Sequence, residues 1–128
     1  MFDALGIIGS GMHVHQTWMD AISDNIANVN TVRPADQPAF QARYVEAQSV
    51  GSGGAAVAGV ALGDAQGRLV FDPTHPLADD KGYVRLPDVD LAEQMTTMIM
   101  AQRGYQANVA NLDRVRASYQ AALQMGRG

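Results

Sequence analysis

Apolar side chains recur in alternating steps of three and four along both ends of this chain, while prolines break the stretch between. At the first end the series is Leu5, Ile8, Met12, His15, Met19, Ile22, Ile26 and Val29, with His15 its one polar member. At the second it is Leu91, Met95, Met98, Gln102, Tyr105, Val109, Leu112, Arg116, Tyr119 and Leu123, with Gln102 and Arg116 its polar members. Steps of three and four put residues on one face of an α-helix, and a sustained alternation is an a/d seam. At 1.5 Å per residue, a helix from Asp90 to Met125 is about 54 Å long. A globule of this size cannot cover such a rod, so the helix wants a partner. The pattern predicts a mainly α fold: long N- and C-terminal helices pairing in a coiled-coil-like core, with a small β-rich insert between them.

The boundaries follow from local signals. Gly6, Gly9 and Gly11 weaken the first helix by roughly 1 kcal/mol each relative to alanine, so alone in water it is marginal. Asn25, Asn28 and Asn30 crowd its last turns. Asparagine is a poor helix former and tolerates the left-handed conformation that often ends a helix. The second helix opens better. Pro87 precedes it, and Asp90 with Glu93 makes an Asp-x-x-Glu start. Acids at its beginning and arginines near its end suit the helix dipole, and Gly126 stops it. This divides the chain into an N-terminal helix within 1–32, a β/loop insert at 33–87 and a C-terminal helix within 88–126. In the insert, "AFQARYV" alternates like a strand, and "VGSGGAA" reads as a flexible connector. "GVALGDAQGRLVF" reads as two short strands around an Asp64–Gly67 hairpin turn, and "GYVRLP" as a short extended piece.

Composition narrows the function. Net charge is −4, and eight of the nine basic residues are arginines spread along the chain, so no basic patch marks a nucleic-acid partner. Cysteine is absent, which excludes disulfides and thiolate metal sites. The first 32 residues lack lysine and arginine, so no standard cleaved secretory signal is expected. "AAVAGVAL" is far too short to span a bilayer as a helix.

No catalytic or metal constellation stands out. "DPTHPLADD" gathers Asp72, His75, Asp79 and Asp80, but the spacing fits no zinc or calcium motif and two prolines stiffen the loop. His13 and His15 are two apart and diverge on a helix. The Gly6–Gly9–Gly11 series has neither a strand before it nor a P-loop lysine after it. We expect no enzyme activity, metal, cofactor or small-molecule substrate.

Two segments carry a resemblance. "ISDNIANVNT" resembles the signature that ends the first helix of the flagellar axial (rod and hook) protein family. Ser23, Asn25, Ile26, Ala27, Asn28 and Thr31 match in place. "FDPTHPLADDKGYVRLPDVDLAEQMTTMIMAQRGYQANV" is similar to the proximal-rod members of that family through Pro73, His75, Pro76, Gly82, Tyr83, Pro87, Met95, Ala101, Gln102, Arg103, Tyr105 and Asn108, among others. Gly104 departs from the pattern, standing where the family usually has alanine.

The resemblance implies a structural subunit exported by the flagellar type III apparatus without signal cleavage. Such subunits stack helically in the periplasm as the drive shaft that carries motor torque, their terminal helices around the export channel. Its partners are then other copies of itself, neighbouring rod proteins and the export apparatus. The alternative is a soluble coiled-coil adaptor, or another axial component, of a type III secretion apparatus. The assembly interface expected on this reading comprises Leu5, Ile8, Met12, Met19, Ile22, Asn25, Ile26, Asn28, Met95, Met98, Gln102, Tyr105, Val109, Leu112 and Tyr119. The asparagines either cap the helix locally or bond neighbouring subunits.

Overall fold

The computed structural model describes residues 2–128. Met1, the first residue of the expected N-terminal segment, lies outside the described residues. Helix α1 spans Phe2–Ala27 and α2 spans Leu91–Gly126. Between them lie five strands: β1 (Arg33–Pro34), β2 (Arg43–Ser49), β3 (Ala55–Leu62), β4 (Arg68–Phe71) and β5 (Tyr83–Leu86). The α2 boundaries follow the sequence signals. Asp90 is its N-cap, with the side chain accepting from the Ala92 N–H at 2.9 Å and the Glu93 N–H at 3.3 Å. That satisfies two backbone donors a helix start leaves free.

The helices pack antiparallel. Gly11 lies against Asn108, His15 against Gly104, and Asn25 bonds Gln94. Each advance along α1 is matched by an equal retreat along α2. The buried line on α2 is Gln94 and Ala101, flanked by the half-buried Thr97, Met98, Gly104, Tyr105, Asn108 and Leu112. This corrects the second seam. Its expected members Leu91, Met95, Gln102, Arg116, Tyr119 and Leu123 are exposed. The reason is side-chain size. Gly11, Ala101 and Gly104 let the backbones approach, and that close contact turned the helix away from the face with the largest apolar side chains.

The strands form two separate sheets, which overturns the expected hairpin around Asp64–Gly67. β2 pairs antiparallel with β3, from Arg43↔Leu62 to Ser49↔Ala55. β5 sits between β1 and β4 in a second antiparallel sheet. The stretch "VGSGGAA" is therefore no loose connector. It makes the β2–β3 turn and starts β3. Gly53 and Gly54 adopt φ of 92° and 100°, a conformation that favours glycine. A Cβ on Gly54 would stand 2.6 Å from Ser10 Oγ of α1, whose hydroxyl accepts the Ala55 N–H. The β2–β3 ribbon thus lies along α1.

Layering follows. Among the described residues α1 packs against α2, β2 and β3, whereas α2 packs against no element but α1. The core is small: Val14, Ala21 and Ile22 from α1, Ala101 from α2, Ala39 and Ala42 before β2, and Val84 of β5.

Candidate assembly surface

The end of α1 answers why asparagines cluster there, and the residues differ. Asn25 is buried. Its Nδ2 donates to the Arg43 carbonyl and to Gln94 Oε1, both at 2.9 Å, and its Oδ1 accepts the Arg43 N–H at 2.8 Å. One side chain thus ties α1, the start of β2 and the start of α2. Asn28 acts locally. Its Nδ2 donates to the Asp24 carbonyl at 2.8 Å, and its Oδ1 accepts from Thr31 Oγ1 at 3.0 Å. Asn30 is exposed. Among the described residues only glycines have positive φ, so the helix stops without the expected left-handed asparagine. Backbone turns from Asn28 N–H to the Asp24 carbonyl and from Thr31 N–H to the Asn28 carbonyl bring the chain round. The Arg43–Asp24 ion pair at 2.9 Å is half exposed on both sides and adds at most about 1 kcal/mol.

Midway along the seam, His15 and Gly104 interlock. A Cβ on Gly104 would overlap the His15 ring at Nε2 and Cδ2. The ring is held because Nδ1 lies 2.8 Å from the Gly11 carbonyl oxygen. Asn108 Nδ2 stands 3.4 Å from the same nitrogen.

The expected interface residues fall into three groups. Ile22 and Asn25 are buried within the chain. Leu5, Ile8, Met12, Met19, Ile26, Asn28, Met98, Tyr105, Val109 and Leu112 are half-buried. Met95, Gln102 and Tyr119 are exposed, Met95 at 55%. Ile99 and Met100, outside the expected interface set, are exposed at 50% and 58%. With Met95 and Met98 they make the sequence apolar on more than one side of the helix, the pattern expected of a helix covered all round in an assembly. Helices turn by about 100° per residue, so Met95 and Ile99 lie roughly 110° and 150° round from the Gln94–Ala101 line. With Leu91 they form an apolar strip that is exposed among the described residues.

The loop "DPTHPLADD" is braced by its own side chains. Asp72 accepts from Thr74 Oγ1 at 2.9 Å. His75 Nδ1 accepts the Leu77 N–H at 3.0 Å, and Asp79 Oδ1 accepts the N–H groups of Lys81 and Tyr83. These bonds shape the loop between β4 and β5. Among the described residues no three histidines or carboxylates gather as metal ligands.

Two terminal helices with an apolar strip left bare among the described residues define a class of protein made to be packed by others. The comparisons name that class. Residues 7–34 match the family described as flagella basal body rod protein, and residues 80–125 match the flagellar basal body rod FlgEFG protein C-terminal family. Flagellar basal-body rod protein FlgC of Yersinia enterocolitica is 34% identical over 132 aligned positions, covering 99% of this chain and 98% of the relative. FlgC of Escherichia coli O6:H1 is 33% identical with the same coverage. FlgC of Borreliella burgdorferi is 32% identical, covering 100% of this chain and 99% of the relative. The chain belongs to the FlgC family of flagellar basal-body rod proteins. It is a structural protein of the rod and not an enzyme.

Proposed function

We propose that the chain builds the rod through its helical ends. Segments 1–32 and 88–126 act as one axial unit, and 33–87 forms an insert beside it. Neighbouring subunits pack coiled-coil-like against the strip of α2 that α1 leaves bare. One observation carries this reading: α2 has 36 residues, and among the described residues α1 is the one element packed against it. The surface area agrees. A compact monomer of 13.6 kDa exposes about 6,600 Å², and this chain exposes 8388 Å². The excess includes Leu91, Met95, Ile99 and Met100.

The rest follows from the class. Subunits leave the cytoplasm through the flagellar type III apparatus, stack helically with copies of themselves and other rod proteins in the periplasm, and carry torque around the export channel. The test is the double variant Met95→Asp, Ile99→Asp. An unpaired carboxylate in a buried interface costs several kcal/mol, whereas on an exposed face it changes folding by about 0.5 kcal/mol or less. The expected result is a monomer of unchanged stability, exported by cells whose isolated basal bodies lack rods. Normal rods would remove the strip from the assembly contact. A discrete dimer that forms only in solution, with the chain absent from basal bodies, would favour the adaptor reading.

A further inference from the structure

A cleft of about 660 Å³ lies beside the β1–β5–β4 sheet, away from the helix seam. Its apolar lining includes Pro34, Leu69, Leu77 and Tyr83, and its charged residues are Asp36, Asp79 and Lys81. Leu69, Leu77 and Tyr83 are exposed at 53%, 41% and 38%. Phe71, 63% exposed, packs edge-on to Tyr83 with ring centroids 5.4 Å apart. The cleft is thus apolar with a net acidic rim.

The complementary surface lies at the opposite end of the molecule. The antiparallel register brings α1 to its start beside about residue 117 of α2, so the last two or three turns of α2 run on alone. Tyr119, Leu123 and Met125 are exposed there, Met125 at 78%. Beyond residue 117 the one charged side chain is Arg127. This end is apolar and basic where the cleft is apolar and acidic. The two cannot meet within one chain. β5 runs through Pro87 into the N-terminus of α2, and the overhang lies roughly 40 Å further along that same helix at 1.5 Å per residue.

We propose that the α2 overhang of one copy seats in the sheet cleft of the next copy. The contact joins two different patches, so it is heterologous and repeats as an open series. It rests on the reading of the chain as a rod subunit and adds a second, axial contact to the α2 strip.

The sequence contains no cysteine, so introduced pairs report this contact alone. One copy carries Leu77→Cys and the other Met125→Cys. Both residues are exposed, and circular dichroism of each variant checks that it folds. Mild oxidation of the mixture at low salt should give several-fold more linked dimer than either variant oxidised alone. Adding Asp36→Lys to the first copy should lower the yield about two- to fivefold, the effect of a partly exposed ion pair. Arg127→Asp in the second copy should restore it, and raised salt should lower the yield of the parent pair. A mixture that links no better than the single variants overturns the proposal, as does a yield indifferent to both Asp36→Lys and salt. Isolated basal bodies separate the two readings. Met125→Cys linked there to a different rod protein, and never to Leu77→Cys of a second copy, overturns self-docking and leaves the rod reading intact. Absence of the chain from basal bodies overturns the rod reading itself.

Discussion

At the residue scale, two side chains hold the helix pair, and each makes a prediction of definite sign. Replacing Gly104 with alanine adds a Cβ where the His15 ring stands. Helix propensity gains about 1 kcal/mol from that change, but overpacking a rigid ring costs about 1–3 kcal/mol. The ring is pinned at Nδ1 to the Gly11 carbonyl and cannot swing aside freely. Gly104→Ala should therefore lower the urea midpoint, and His15→Ala in the same chain should recover most of the loss. An additive double variant would refute the interlock. Asn25 and Asn28 should separate just as clearly. Asn25→Ala strands Gln94 Oε1 and both backbone groups of Arg43, at about 1–3 kcal/mol for each buried group left unpaired. Asn28→Ala removes a local cap, at about 1 kcal/mol or less. Denaturation of the two variants in parallel measures the gap. Equal losses would mean the three-way tie is not what Asn25 supplies.

At the element scale, α1 and α2 have opposite situations. α1 is covered by α2 on one side and by the β2–β3 ribbon on another, whereas α2 is covered on one side only. The same charged substitution should then act differently on each. Ile22 is 2% exposed, so Ile22→Asp puts an unpaired carboxylate in the monomer core and should cost several kcal/mol of folding stability. Its loss of motility would report unfolding. Met95 is mostly exposed, so a carboxylate there leaves the monomer intact, and on the proposed strip contact it should act only against a neighbouring subunit. Thermal denaturation of Ile22→Asp and of Met95→Asp distinguishes them: a large drop in Tm for the first and almost none for the second.

At the scale of the whole molecule, the small sheet and the far end of α2 are the parts least engaged with the rest. The β1–β5–β4 sheet packs on neither helix. It is held by the chain around it, with Arg85 donating to the carbonyls of Ala35 and Gln66, and the Ala39 N–H donating to the Ala65 carbonyl at 2.8 Å. Residues 116–128 are exposed throughout. Deleting residues 118–128 should therefore shift Tm by no more than a degree or two, because surface changes of this kind stay within about 0.5 kcal/mol. The truncated chain should nevertheless build no rod in cells. Motility and electron microscopy of basal bodies check the second half, and calorimetry checks the first. A large loss of stability would mean that the overhang packs within its own chain.

The sequence by itself determined the helices, the strand at β5 and the start of α2. Those depend on neighbours a few residues apart: the three-four spacing, Asp90 two and three positions before the N–H groups it accepts, and Pro87 before them. It also determined that the chain was built to be packed, since the apolar length of the last third exceeds what so small a core can cover. Tertiary structure decided which face of α2 met α1. The choice turned on Gly11, Ala101 and Gly104 finding one another across some ninety residues, and apolar periodicity records where large side chains lie but not where backbones can approach. It decided the strand pairing for the same reason. β3 and β4 are adjacent in sequence with a turn-like stretch between them, yet β3 pairs with β2 and β4 with β5. The side-chain ties from Ser10 to Ala55 and from Asn25 to Arg43 hold the ribbon to α1. The fate of Asn25 was likewise settled only in three dimensions, because the partners of a buried amide are fixed by which segments fold against it.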